Sequence, residues 1–352
     1  MMNAFPVTVL TSVFNGAVYL DAAIASILAQ SFTNFEFILI DDASTDATPH
    51  MLAKWARRDA RIVLVRNDSN MGLTRSLNKG LLLARGEWIA RQDADDISMP
   101  QRLEKQLAFL ANHPEVGILG TGIIVIDNQG NKEQKSYINP TNHTAICWRL
   151  LSDNPFFHTS VIFRRELVLE CPYDITWRFG QDFDLWRRLL QRTKGANLPK
   201  PLVYYRCHTD RVSIIHGQQQ QHISLQIAQQ QCTQLLPNLS LSMQEILAIR
   251  MFIRSVWPIP EETLLTCVHV LKLFRAFCQQ NGLDNLVLDQ LRDRLLQRLW
   301  RTLFYSLSWQ DGLKLIKEMW LCGRWKMLTS LGREIGRIVL QRRIVDDSID
   351  SM

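Results

Sequence analysis

Three aspartates, Asp93, Asp95 and Asp96, stand almost side by side in the stretch RQDADDISMP, just after an apolar run ends. Carboxylates this close repel one another unless something positive sits among them. Two explanations are open from the residues alone: a turn whose aspartates cap the next helix, or a site that holds a cation. A hard divalent ion such as Mg2+ or Mn2+ takes one or two carboxylates and leaves its other positions to water and phosphate oxygens. Such an ion would relieve the repulsion and draw in a diphosphate. Asp42, in ILIDDAS, offers a different chemistry, because a carboxylate beside an aromatic heterocycle accepts its ring N–H, as uracil or thymine would require. Thr11 to Asn15 is a third polar group at the end of an apolar run.

The surrounding pattern says what positions these groups. Val7–Val13, Phe35–Ile40, Ile62–Val65 and Trp88–Arg91 read as strands. Between them lie helical patterns: Tyr19–Gln30, a helix opened by Thr48 and Pro49 that carries Leu52 and Trp55, and Leu73–Arg85 closed by Gly86 in a C-terminal cap. Strand–helix alternation at this spacing predicts βαβ units and a mostly parallel sheet flanked by helices. Ligands of open α/β sheets bind beyond the carboxyl ends of the strands. The three polar groups follow the first, second and fourth strands, and their coincidence on one rim argues against three unrelated turns.

From Val116 onward the pattern is mixed, with strands expected at Val116–Ile126, Ser160–Phe163 and Leu202–Tyr205 and a helix near Phe183–Gln191. Beyond Gly217 the Gln-rich QQQQHISLQIAQQQ leads into long helical patterns, with Ile223, Leu225 and Ile227 arguing for a helix or linker rather than disorder. A boundary near residue 215 therefore divides an α/β domain (1–215) from an all-helical C-terminal region (216–352).

The 352 residues are 47% hydrophobic and 21% charged, an ordinary globular composition that excludes wholesale disorder. No apolar run is long enough to span a bilayer, and the N-terminus lacks the basic start of a signal peptide. Seven scattered cysteines without a C-x-x-C pair suit a reduced cytoplasmic protein without a zinc site. The net charge of +6 concentrates between Leu291 and Arg343. That stretch is either a solvated helical face or a surface for an acidic partner, a membrane before a nucleic acid.

Five blocks in order, PVTVLTSVFNGAVYLDAAIASILAQSFTNFEFILIDDASTD, NMGLTRSLNKGLLLARGEWIARQDADDISMPQRL, NPFFHTSVIFRR, GQDFDLWRRLL and LPKPLVYYRCH, resemble glycosyltransferase family 2 with its GT-A fold, over about residues 6–210. The resemblance implies an inverting, metal-dependent transferase that moves a sugar from a nucleoside-diphosphate sugar, UDP or dTDP preferred, to an acceptor hydroxyl. It implies that Thr11 and Asp42 hold the base, with Asn15 beside them. Arg75 and Asn78 would line the nucleotide pocket, though both also suit an exposed helical face. Asp93 would face the ribose and Asp95 the metal, with Asp96 metal-facing or just behind, and His208 near the metal or diphosphate. Asp182 matches the general base. The preceding position, often Glu in the family, is Gln181 here, which removes a negative neighbour of the base. His158 reads as a structural hydrogen-bonding histidine and Asp184 as the partner of an Arg on its own helix.

The implied cofactor is Mn2+ or Mg2+, and the implied acceptor a glycan or a lipid-linked glycan of the cell surface. The tail stretches RLWRTLFYSLSW and LCGRWKMLTSLGREIGRIVLQRR suit an interfacial amphipathic helix at the inner face of the plasma membrane. Packing on the catalytic domain or homo-oligomerisation suits them equally, and no nucleic-acid partner is expected. The alternative function is a nucleotide-sugar-binding or scaffolding subunit without catalysis.

Overall fold

The computed structural model describes residues 6–208, 216–254, 263–281, 286–306 and Leu315. The chain opens with β1 (Val7–Val13), α1 (Ala17–Leu28), β2 (Phe35–Asp41), α2 (Thr48–Arg58), β3 (Ile62–Arg66), α3 (Leu73–Leu83) and β4 (Trp88–Arg91). These strands lie in the order β3-β2-β1-β4, all parallel. Every residue of β1 and β2 is buried, as expected of parallel strands covered on both faces. Leu10, Ile38 and Ile40 pack with Leu77 and Leu81 of α3, whereas Val9, Phe37 and Leu39 pack with Leu20, Ile24 and Ile27 of α1. The alternation of side chains along each strand thus builds two apolar layers.

The next elements are β5 (Ile97–Ser98), α4 (Arg102–Asn112), β6 (Val116–Ile126), β7 (Lys132–Tyr137), α5 (His143–Leu150), a 3-10 turn (His158–Ser160), β8 (Ile162–Arg164), α6 (Arg165–Glu170), α7 (Gln181–Leu189) and β9 (Lys194–Arg206). They extend the sheet as β4-β8-β6-β9-β5, with β7 pairing β6. Here β6 and β9 are parallel, but β4–β8, β6–β8, β5–β9 and β6–β7 are antiparallel. The sheet is therefore mixed, with its parallel half at the N-terminus. A tight connection forces part of the difference: Asp127 accepts the N–H groups of Gln129 and Asn131 at 2.9 and 2.8 Å and closes a turn too short for a parallel crossover.

Gly86 does not cap α3, which ends at Leu83 with Ala84 in extended conformation. A Cβ at Gly86 would lie 2.4 Å from the Thr8 amide nitrogen, so glycine is required for the close approach to β1. Thr48 begins α2 as expected, but its hydroxyl accepts the Gly16 N–H at 2.9 Å instead of capping the helix.

The chain divides into two compact units, Met1–Ile246 and Leu247–Met352. This division falls later than residue 215. The Gln-rich segment forms α8 (Gly217–Leu235), whose Ile227 and Ile223 join the apolar cluster of Phe183 and Trp186, so α8 completes the core of the first unit. The helices α9 (Met243–Arg254), α10 (Thr263–Asn281) and α11 (Leu286–Ser306) follow, and in the second unit Arg298 bonds the Phe252 and Ile253 carbonyls. The basic stretch 321–343 lies outside the described residues. No helix among the described residues is long and apolar enough to cross a membrane.

Candidate functional site

Parallel pairing of β1 with β2 and β4 brings three strand ends to one rim. The ladder continues one residue further, with Gln92 N–H bonding the Leu10 carbonyl at 3.2 Å and Asp42 N–H the Val13 carbonyl at 2.9 Å. Beyond Gln92 the chain turns, and one oxygen each of Asp93, Asp95 and Asp96 lie within 4.8 Å of one another.

Each of these carboxylates is held by a different group. Asp93 accepts from Arg91 Nη2 at 2.6 Å, and that arginine is fully buried. Asp95 meets His208 Nε2 at 3.0 Å. Asp96 is buried and accepts the Arg206 N–H at 2.8 Å, while Arg206 Nε donates to the Asp95 carbonyl at 3.0 Å. Behind the loop lies a second buried guanidinium. Arg102 donates to the Gln92 side-chain oxygen at 3.0 Å, the Ser98 hydroxyl at 2.8 Å and the Arg91 carbonyl at 2.6 Å. Burial first, and then the charge of Arg91, pushes Arg102 down to about 9. Three oxygen donors at this spacing suit a hard divalent cation. His208 adds an imidazole whose Nδ1 is buried without a hydrogen-bond partner among the described residues. The donor set thus fits the implied ion, which would offset the repulsion among the aspartates.

On the nucleotide side, Asn15 adopts φ +51 and joins the first two rim loops. Its side-chain oxygen accepts from the Thr45 N–H at 2.8 Å, and its own N–H donates to Ser44 Oγ at 2.9 Å. Asp42 is buried and accepts three bonds, from Asn67 Nδ2 at 2.7 Å, Met71 N–H at 2.9 Å and Gly72 N–H at 2.8 Å. A carboxylate offers about four acceptor positions, so one is left. Thr11 is buried and donates to the Gln92 carbonyl at 2.9 Å, fastening β1 to the start of the aspartate loop. Arg75 is exposed on α3, and Asn78 clasps the backbone of Tyr173 with bonds of 2.8 and 3.0 Å.

Asp182 lies in the first turn of α7, which Gly180 opens at φ +67. Its Oδ2 accepts from Asn154 Nδ2 at 2.7 Å; Oδ1 has no hydrogen-bond partner among the described residues, yet is not sealed from solvent. Asp184 is buried and pairs with Arg187 and Arg188 at 2.8 and 2.7 Å, the structural part expected of it. His158 Nε2 lies 2.8 Å from the Tyr173 hydroxyl. Burial pushes His158 down to about 4 and the Tyr173 hydroxyl up. Arg91, Asp182 and Asp93 act electrostatically on both, so the aspartate loop and α7 converge on this pair.

Arg91, Arg102, Asn154, Thr159 and Tyr173 were not singled out from the sequence. Asn154 and Thr159 belong to the quoted block NPFFHTSVIFRR, which could have pointed to them. The arginines carried no signal, since a lone Arg ordinarily reads as exposed.

The family model described as glycosyl transferase family 2 matches residues 8–171. A putative glycosyltransferase of Bacillus subtilis, EpsE, is 38% identical over 216 residues, covering 59% of this chain and 76% of that protein. The amylovoran biosynthesis glycosyltransferase AmsE of Erwinia amylovora is 30% identical over 200 residues, covering 56% of this chain and 74% of its own length. Among solved structures, S. aureus TarS in complex with UDP-GlcNAc aligns with a TM-score of 0.54 at 18% identity, over 77% of this chain and 81% of that one. The mannosyltransferase PcManGT from Pyrobaculum calidifontis, in complex with GDP-Man and Mn2+, aligns with a TM-score of 0.50 at 18% identity over 90% and 87%. At such identities the structures bear on the fold alone, and they share its mixed sheet flanked by helices.

Proposed function

Because the chain belongs to glycosyltransferase family 2, we propose that it transfers a sugar, with inversion, from a nucleoside-diphosphate sugar to an acceptor hydroxyl, using Mn2+ or Mg2+ at Asp93, Asp95 and Asp96. One observation carries this reading: a single short segment joins the proposed base to the aspartate loop. Asn154 holds Asp182 at 2.7 Å, and Thr159 Oγ1 accepts the Asp93 N–H at 3.2 Å.

The donor class draws support from TarS with UDP-GlcNAc and PcManGT with GDP-Man and Mn2+. UDP or dTDP is preferred because the remaining acceptor position of Asp42 suits a pyrimidine ring N–H. A role in cell-surface polysaccharide synthesis, with a glycan or lipid-linked acceptor, follows the amylovoran glycosyltransferase among its relatives. The catalytic part occupies the α/β unit, and the C-terminal helices are left for a membrane surface or a second copy.

When bound, the cation would neutralise charge developing on the departing diphosphate. The chain's own residues do the rest. Asn154 occupies Oδ2 of Asp182, so Oδ1 is the oxygen that takes the acceptor's proton. As that hydroxyl oxygen bonds the anomeric carbon, the bond to the diphosphate breaks on the opposite face. The proton stays on Asp182 until water removes it. Gln181, buried and neutral, adds no charge beside the base.

Asp182→Asn keeps the shape and can still accept from Asn154. Transfer, or slow hydrolysis of the donor, should fall about a hundred- to ten-thousand-fold, the usual contribution of a general base. Calorimetry should find donor binding nearly unchanged. Loss of donor affinity with transfer preserved overturns the assignment. Absence of donor hydrolysis in the unaltered chain would favour the non-catalytic alternative.

A further inference from the structure

We propose that His158 is a sugar-binding residue, fixed by Tyr173 in the tautomer whose Nδ1–H donates to a hydroxyl of the transferred sugar, beside Asp93 and Asp182. The proposal rests on the function proposed above. The histidine does have a structural bond, at 2.8 Å from Nε2 to the Tyr173 hydroxyl. Its second nitrogen is different. Nδ1 has no hydrogen-bond partner among the described residues, yet it is not among the sealed, unpartnered atoms, as Nδ1 of His208 is. One ring nitrogen is therefore anchored in protein and the other is open to a ligand.

Two arguments choose the tautomer. Burial keeps both rings neutral at neutral pH, so a single proton lies between Nε2 and the tyrosine oxygen. If the hydroxyl donates it, Nδ1 carries the N–H. Of the charges acting on the imidazole Arg91 is the strongest, and Asp182 and Asp93 oppose it; the two carboxylates favour a donor rather than a lone pair on the open side.

The ring is also held in place. Tyr173 lies 5.7 Å from it, centroid to centroid, and Trp186 6.1 Å, both edge-on. Asn78 clasps Tyr173 at both backbone N–H and C=O. This assigns Asn78 a mechanical part: from α3 it fixes the tyrosine that fixes the histidine.

The neighbours decide the ligand. A phosphate oxygen can accept from Nδ1–H but has no proton to give a neighbouring carboxylate. A sugar hydroxyl accepts from Nδ1–H and donates to a carboxylate, so it fits both.

The test uses the full chain with UDP, UDP-GlcNAc and other UDP-, dTDP- and GDP-sugars. His158→Asn places an amide N–H near the Nδ1 position, whereas His158→Gln reaches towards Tyr173 and leaves the open side without a donor. UDP affinity should stay within about twofold for both, since neither touches the nucleotide site. For the donor hydrolysed best, kcat/KM should fall about ten- to a hundredfold in His158→Gln, the usual penalty of one lost hydrogen bond to a substrate in an enclosed site. His158→Asn should recover part of it. Should His158→Gln fail to bind UDP, Tyr173→Phe carries the test, with a smaller loss of kcat/KM at unchanged UDP affinity expected. Full kcat/KM in His158→Gln, or equal weakening of UDP and the donor in Tyr173→Phe, overturns the proposal. Failure of the unaltered chain to hydrolyse any donor refutes the underlying function and this proposal with it.

Discussion

Gly180 stands two residues before Asp182 with φ +67, and α8 packs directly on it. In Gly180→Ala, holding an L-residue in the left-handed region costs about 1–2 kcal/mol. The new Cβ would also meet Ile223 Cγ2 at 3.2 Å and Ile227 Cδ1 at 3.3 Å. Both are side-chain tips that can yield by a few tenths of an ångström, so the crowding adds about 1 kcal/mol, the low end for an overfilled core. The expected destabilisation is about 2–3 kcal/mol. Urea unfolding followed by tryptophan fluorescence measures it, since Trp186 lies on α7, and the midpoint should drop with the slope unchanged. Donor hydrolysis should fall alongside, because the turn that starts α7 aims the proposed base. Gly180→Asn tolerates positive φ and should recover the strain component while keeping the crowding. Combining Gly180→Ala with Ile223→Ala should show a coupling of at least about 0.5 kcal/mol in a double-mutant cycle. A loss below about 0.5 kcal/mol for Gly180→Ala, within the range of an ordinary surface substitution, would refute both the strain and the packing.

Mn2+ should stabilise the chain by mass action, by about 2.7 kcal/mol at a hundredfold excess over its dissociation constant, and Asp95→Ala should abolish most of the resulting rise in midpoint in thermal-shift titrations. Arg91→Leu should cost about 1–3 kcal/mol in urea unfolding, because partly exposed Asp93 and a buried backbone carbonyl lose their donor, and Arg91→Lys should not restore it since the fork serves both. Asn78→Ala should destabilise by about 1–3 kcal/mol, the cost of stranding the Tyr173 backbone, as read by the same unfolding experiment. His158, held near 4 when folded against about 6.5 unfolded, binds fewer protons in the folded chain, so stability should decline as pH falls from about 6.5 to about 4. That decline, on the order of 1–3 kcal/mol, should be smaller in His158→Asn, as measured by unfolding across the pH range.

The sequence made the parallel half of the fold legible because its strands bury both faces and so read as uninterrupted apolar runs. VTVLTSV and FEFILID carry that signature in full. Short and edge elements left no such trace. β5 has only two residues, and the KEQKSY of β7 pairs through its backbone while its sequence remains polar. At the site, the type and spacing of Asp93, Asp95, Asp96 and Asp182 were readable because all four lie in blocks that resemble the family. What each side chain touches was not readable. Asp42 looked wholly open to a ligand, whereas three donors from the loop 67–72 take all but one of its acceptor positions. Asn78 looked like a pocket wall and clasps a backbone far along the chain. The packing of α8 on Gly180 depends on a turn conformation that composition does not encode, so the Gln-rich run gave no sign that its helix joins the apolar cluster of Phe183 and Trp186.

These contacts explain how an acidic cluster can stand ready before any ligand arrives. Water would ordinarily be the only screen between neighbouring carboxylates, and mutual repulsion would splay the loop. Here each is restrained from a different direction: Asp93 from β4 through Arg91, Asp95 from beyond β9 through His208, and Asp96 through the Arg206 N–H at the end of β9. β9 can deliver these groups only because it pairs with β5 and β6, so the long-range half of the sheet sets the geometry of a loop that springs from the local half. Asp182 is restrained in the same way, by Asn154 on one side and the Gly180 turn on the other. Donors and charges fixed in advance need little reorganisation when charge shifts during reaction, which is the condition under which electrostatic stabilisation is strongest. The antiparallel pairing of β5 with β9 sets the Arg206 N–H, and His208 two residues further on, beside the aspartate loop.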